Sequence, residues 1–90
     1  MSLITTREEG IALHQFYRNI GDKIHKARIA RKITIDGLSS LSGISTRTLE
    51  KYERGDSKIS FEVLIKLAAI LNVEFEEFFK ANDNNGMENF

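Results

Sequence analysis

The 90-residue chain has no cysteine, no proline and no tryptophan. Without cysteine there is neither a disulfide scaffold nor a thiolate metal site. With no proline and little valine, nothing argues for a β-sandwich or barrel. The first residues, MSLITTREEG, lack the basic segment and apolar run of a signal peptide. The longest apolar stretch, LIKLAAIL (64–71), is broken by Lys66 and falls far short of the ~20 residues needed to span a bilayer. A cytoplasmic chain with no membrane partner is expected. His14 and His25 stand apart with no third ligand in view, so no metal is expected. No nucleophile or paired carboxylate accompanies them, and no glycine-rich phosphate loop is present. Neither enzyme activity nor a cofactor is expected.

Net charge is also absent, but the zero conceals a division. Between Phe16 and Ser60, ten lysines and arginines face five acids, a net of +5. From Phe61 to Phe90 two cations face six acids, a net of −4. A basic middle joined to an acidic end points toward a polyanionic partner.

What is present is helical periodicity. Phe16, Ile20, Ile24 and Ala27 form one stripe, followed by Arg28, Arg31 and Lys32, which suit a helix C-terminus. Before them, "TREE" (Thr6 to Glu9) fits a capping box. Either a short extra helical piece joins the first helix there, or Asn19 to Asp22 makes a fresh start; the former is expected. Thr34 caps a second helix over 35–42, with Leu38 and Leu41 inward and Gly37 costing about 1 kcal/mol against alanine. Gly43 suits a left-handed C-terminal residue. Ser45 caps a third helix over 46–53, with Leu49 and Tyr52 inward and Arg47, Glu50, Lys51 and Arg54 outward. Ser60 caps a fourth, whose Phe61, Leu64, Ile65, Leu67, Ala68 and Leu71 should make it the most buried. "EFEEFFKA" reads as a fifth short helix with Phe75, Phe78 and Phe79 inward. The organisation expected is an extension over 1–15, a domain over 16–80 and a flexible tail over 81–90.

Two short helices meeting at Gly43, with Leu38, Ile44 and Leu49 in the corner, carry the marks of a helix-turn-helix. Such a unit holds its second helix proud of the surface, and a helix fits the major groove of B-DNA.

"IGDKIHKARIARKITIDGLSSLSGISTRTLEKYERGDSKISFEVLIKLAAILNVEFEEFF" resembles the Cro/repressor-type (XRE-like) helix-turn-helix domain, through "KAR", Thr34, Leu38, "SGIS", "YERG" and the closing "LAAILNVEFEEFF". The resemblance implies an all-α, five-helix, lambda-repressor-like fold. It implies a transcriptional regulator that binds a two-fold operator on double-stranded DNA, usually as a homodimer, as a repressor or a restriction-modification controller. By position it implies that Thr46, Arg47 and Lys51 reach base edges. Thr34, Ser45, Arg54, Lys58 and Ser60 would lie near phosphates, and Arg28 and Glu53 would form an internal ion pair. Arg47 is suited to guanine, to which an arginine gives two parallel hydrogen bonds.

The sequence departs from the family pattern at Ile35 (commonly glutamine), Gly37 (often glutamate), Ser39 (often alanine) and Lys32 (a common glycine). These departures are expected to weaken the second helix and to remove one phosphate contact. Six phenylalanines are many for so small a core, and Phe78, Phe79 or Phe90 are candidates for burial across a dimer. The alternative is the same fold used as a protein-binding module, for instance an antitoxin acting through a toxin partner.

Overall fold

The computed structural model describes residues 6–80. The expected tail over 81–90, Phe90 included, lies outside the described residues. Four α-helices and a 3-10 helix, with no strand, make up the described residues: α1 (Arg7–Ala30), α2 (Ile35–Ser42), α3 (Thr46–Arg54), α4 (Phe61–Leu71) and the 3-10 helix (Phe75–Phe79).

α1 is a single 24-residue helix, so no break separates an extra piece from it and Asn19 caps nothing. Its start is a capping box: Glu9 N–H donates to Thr6 Oγ1 (3.1 Å) and Thr6 N–H to Glu9 Oε1 (2.8 Å). Gly21 interrupts nothing either. A Cβ there would stand 2.2 Å from the Tyr52 carbonyl oxygen and 2.6 Å from that of Glu53. The glycine lets α1 lie directly on the last turn of α3. From the other side Gly55 completes this seam, with φ +76° and no room for a Cβ beside the Arg18 backbone.

Three helices end on paired backbone bonds around one left-handed residue, the Schellman arrangement. At α3 this residue is Gly55 and at α4 Asn72, both suited to it. At α1 it is Lys32, at φ +58°, with Lys32 N–H donating to the Ile29 carbonyl and Ile33 N–H to that of Arg28. Lys32 therefore occupies, under strain, the site where glycine is common.

Ile20, Ile24, Leu38, Leu49, Leu64, Leu67, Leu71 and Phe78 form the core, each less than 4% exposed. Several expected core residues are not in it. Leu41 of α2 is 63% exposed; Phe61 and Ile65 are 61% and 50% exposed, because α4 buries only one side although it is apolar on nearly all. Phe16 and Phe79 are also exposed, and Phe75 is half-buried. Phe78 is the reverse case: it fills the core of its own chain and is not free for a partner. The expected fifth helix is the five-residue 3-10 turn, whose preceding residue, Glu74, makes no side-chain cap.

Candidate nucleic-acid interface

The corner between α2 and α3 is tied from three directions. Gly43 takes the left-handed conformation (φ +76°), and its N–H donates to the Ser39 carbonyl at 2.8 Å. The Ser39 hydroxyl donates to the Ile44 carbonyl (2.6 Å), and Ile44 N–H donates to Ser42 Oγ (3.1 Å). Lys66 of α4 reaches across and donates to the Ser42 carbonyl (3.1 Å). Leu38 and Leu49, both fully buried, fill the angle. Ser39, expected only to weaken α2, thus also locks the turn. Ile35, in place of a polar residue, packs partly buried against the core.

Leu49 fixes the inward direction of α3. The opposite side carries Arg47 and Arg54, both exposed, together with half-buried Lys51, and half-buried Thr46 starts the helix on one flank. Arg47, Lys51 and Lys58 make no ion pair or hydrogen bond among the described residues, so their charges are uncommitted. Arg54 is engaged: its Nε donates to Asp56 Oδ2 at 2.9 Å, and that bond draws the Asp56 carboxyl below its ordinary range.

Thr34, Ser45 and Ser60 are the N-caps of α2, α3 and α4, accepting from Gly37 N–H (2.9 Å), Thr48 N–H (3.1 Å) and Val63 N–H (3.1 Å). All three are exposed. A capping hydroxyl uses a lone pair on the amide and keeps its proton. In Thr34 and Ser60 that proton stays available for an oxyanion, whereas Ser45 donates its own to Thr48 Oγ1 at 3.0 Å. Each helix start also presents unpaired amides and the positive end of a dipole, a general means of holding anions.

Arg28 and Glu53 meet beneath α3. Arg28 Nε donates to Glu53 Oε2 (2.7 Å), Nη2 to Oε1 (3.1 Å) and Nη1 to the Ile33 carbonyl (2.9 Å). Both side chains are about one-tenth exposed. The hydrogen bond to Glu53 holds the guanidinium above its usual range. Burial pulls the Glu53 carboxyl upward, and the bonds from Arg28 and His25 outweigh it, leaving Glu53 below the usual carboxylate range. His25 Nδ1 lies 2.8 Å from Glu53 Oε1, so this histidine supports the pair that docks α1 on α3. Sequence reasoning weighed His25 only as a metal ligand or a catalyst. It also missed Lys66 and the Gly21–Gly55 seam. The eleven positions from His14 to His25 carry no sign of a partner 28 residues on in the chain. No group of three or more potential metal ligands occurs among the described residues, and no helix there is long and apolar enough to cross a membrane.

Comparison with known proteins sets this geometry among relatives. Residues 24–78 match the helix-turn-helix family. The uncharacterized HTH-type transcriptional regulator RghRB of Bacillus subtilis is 39% identical over 62 residues, 68% of this chain and 45% of that protein. An uncharacterized transcriptional regulator in the ATPase CF(0) region of Rhodospirillum rubrum is 30% identical over 67 residues, 74% of this chain and 62% of its own length. A relative in Methanosarcina barkeri is 37% identical over 54 residues, but the match spans only 16% of its length. Among solved structures, the restriction-modification controller protein C.AhdI from Aeromonas hydrophila superposes with a TM-score of 0.66 at 28% identity, covering 70% of this chain and 96% of that one. The part of α1 before Ile24, most of the helix, precedes the family match.

Proposed function

This chain belongs to the XRE-type helix-turn-helix family, and from that membership we propose that it is a sequence-specific DNA-binding transcriptional regulator and not an enzyme. The unit over 16–80 binds duplex DNA through the exposed side of α3, and residues 1–15 extend it. The observation that carries the reading is the pair of uncommitted cations, Arg47 and Lys51, on a helix held outward by a locked turn.

In this reading Thr46, Arg47 and Lys51 meet base edges in the major groove. Thr34, Ser45, Lys58 and Ser60 meet phosphates. Arg54 joins them by exchanging Asp56 for a phosphate oxygen. Phosphate contacts set register and base contacts set preference. The buried Arg28–Glu53 pair keeps α3 at a fixed angle. A chain that regulates transcription works where the DNA is, so a cytoplasmic location belongs to the same reading.

Two-fold pairing doubles the length of site read. Support for a homodimer lies in the apolar surface left uncovered: Phe16, Phe79 and Phe75 form a run of ring contacts, and Phe61 joins it at 4.7 Å from Phe75.

The test is enrichment of bound sites from random duplexes, followed by titration with the selected site. Arg47→Ala relaxes preference at one base pair per half-site by about 1–3 kcal/mol. Lys58→Ala weakens binding to all duplexes alike and lowers the salt slope by about one unit. Selection of a symmetric site reports the dimer. A chain that ignores duplexes even in dilute salt would be a protein-binding module, and the DNA reading would be wrong.

A further inference from the structure

We infer that Glu50 is a specificity-determining residue whose carboxylate accepts a hydrogen bond from the exocyclic amine of a cytosine in the major groove; this rests on the DNA-binding reading above. Glu50 follows fully buried Leu49 and is exposed. At about 100° per residue it lies roughly 60° around the helix from Arg47, on the flank that also carries Thr46. It therefore belongs to the surface that meets the groove.

The other acids of the basic segment each have an electrostatic role within the chain. Asp22 pairs with Lys26 (3.0 Å), Glu53 with Arg28 (2.7 Å) and Asp56 with Arg54 (2.9 Å). Asp36 lies in the first turn of α2, where the dipole favours it. Glu50 sits in mid-helix and makes no hydrogen bond or ion pair among the described residues. Its natural partner, one turn on in the favourable order of acid before base, is Arg54. That arginine is turned away to Asp56.

A free carboxylate on a surface that approaches phosphates weakens attraction to every duplex. It gains only where the groove presents a donor unaccompanied by acceptors on the same base. Guanine presents two acceptors, thymine an acceptor and a methyl group, and adenine a donor beside an acceptor. Cytosine presents its N4 amine alone, the group with which glutamate pairs. Glu50 thus discriminates by attraction at one base pair and by repulsion at the others.

Wild type, Glu50→Ala and Glu50→Gln are compared by site enrichment from random duplexes and by direct titration. Thermal melting followed by circular dichroism checks that the exposed substitutions leave the fold intact. Wild type enriches a fixed C·G pair in each half-site and prefers it over substituted sites by roughly 5- to 150-fold, the range of a good base contact. Glu50→Ala loses that preference and binds non-specific duplex several-fold more tightly. Glu50→Gln moves the preference toward adenine, which an amide serves with one donor and one acceptor. If both variants enrich the wild-type site with unchanged base frequencies, the inference is overturned, even where their general affinity rises. If wild type enriches no site at all, the DNA reading falls and takes this inference with it.

Discussion

The same substitution at two glycines of α1 is expected to have opposite effects. A methyl group at Gly10 meets no atom within 4 Å. Gly10→Ala therefore changes only backbone entropy and helix propensity, a gain of up to about 1 kcal/mol. At Gly21 the same intrinsic gain is overridden. The added Cβ would stand 2.2, 2.6 and 2.8 Å from atoms of Tyr52 and Glu53, whereas ordinary contact begins at 3.4 Å. All three obstructing atoms are main chain, so no rotamer change relieves them. The two helices must part by about an ångström, and Ile24, Leu49 and the Arg28–Glu53 pair move with them. Overpacking of this kind costs about 1–3 kcal/mol and sometimes more. Because the obstruction is backbone, we take the upper end, which leaves a net loss of about 2 kcal/mol after the propensity gain. For a domain of this size, 1 kcal/mol shifts Tm by about 4–8 °C. Thermal and urea unfolding followed by circular dichroism should show Gly10→Ala above wild type and Gly21→Ala about 8–16 °C below it. Gly21→Ala should also weaken DNA binding, since α3 no longer sits at its native angle. A Gly21→Ala protein as stable as wild type would refute the close approach of α1 and α3.

Lys32→Gly relieves a non-glycine residue at φ +58° and should stabilise by about 0.5–1 kcal/mol in urea titrations; a loss would mean that strain at that position is absent. Glu53→Ala leaves the buried Arg28 guanidinium with no counter-charge, only the Ile33 carbonyl and the His25 ring nitrogen beside it, and should cost about 3 kcal/mol at neutral pH, less when Arg28→Leu accompanies it. Because the folded chain holds the Glu53 carboxyl below its unfolded value, the contribution is complete above the unfolded carboxylate range near pH 4.3 and drains away as pH falls through the folded value. Unfolding titrations from pH 7 to 3 should show that slope in wild type and a much flatter one in Glu53→Gln.

Much of this architecture was legible in local signals. A serine or threonine before an apolar period, and a glycine after it, are cues read within one turn of helix. Thr6, Thr34, Ser45 and Ser60 all cap as expected, and Gly43 and Gly55 take the left-handed conformation. The role of Gly21 had no local cue, because a helix tolerates one glycine within a long, well-capped run, and the reason for this glycine lies 31 residues away at Tyr52. Leu41, Phe61 and Ile65 lie outside against expectation, because apolar residues on a helix do not say which face a neighbour covers. His25, Lys66 and Arg31 carry ordinary polar side chains, whose partners at Glu53, Ser42 and Asn72 only the packing brings near.

Helix boundaries, caps, the bend at Gly43 and the outward cations of α3 follow from the order of residues alone, because each depends on interactions spanning a few positions. Which charges remain uncommitted was decided by tertiary structure. Arg28 and Arg54 find acids, Lys66 and Arg31 find carbonyls, and Arg47, Lys51 and Glu50 find no partner among the described residues. That division depends on the angle at which α1 rests on α3. The angle is set by the missing side chain of Gly21 against a backbone far away in sequence, a contact that no local pattern encodes.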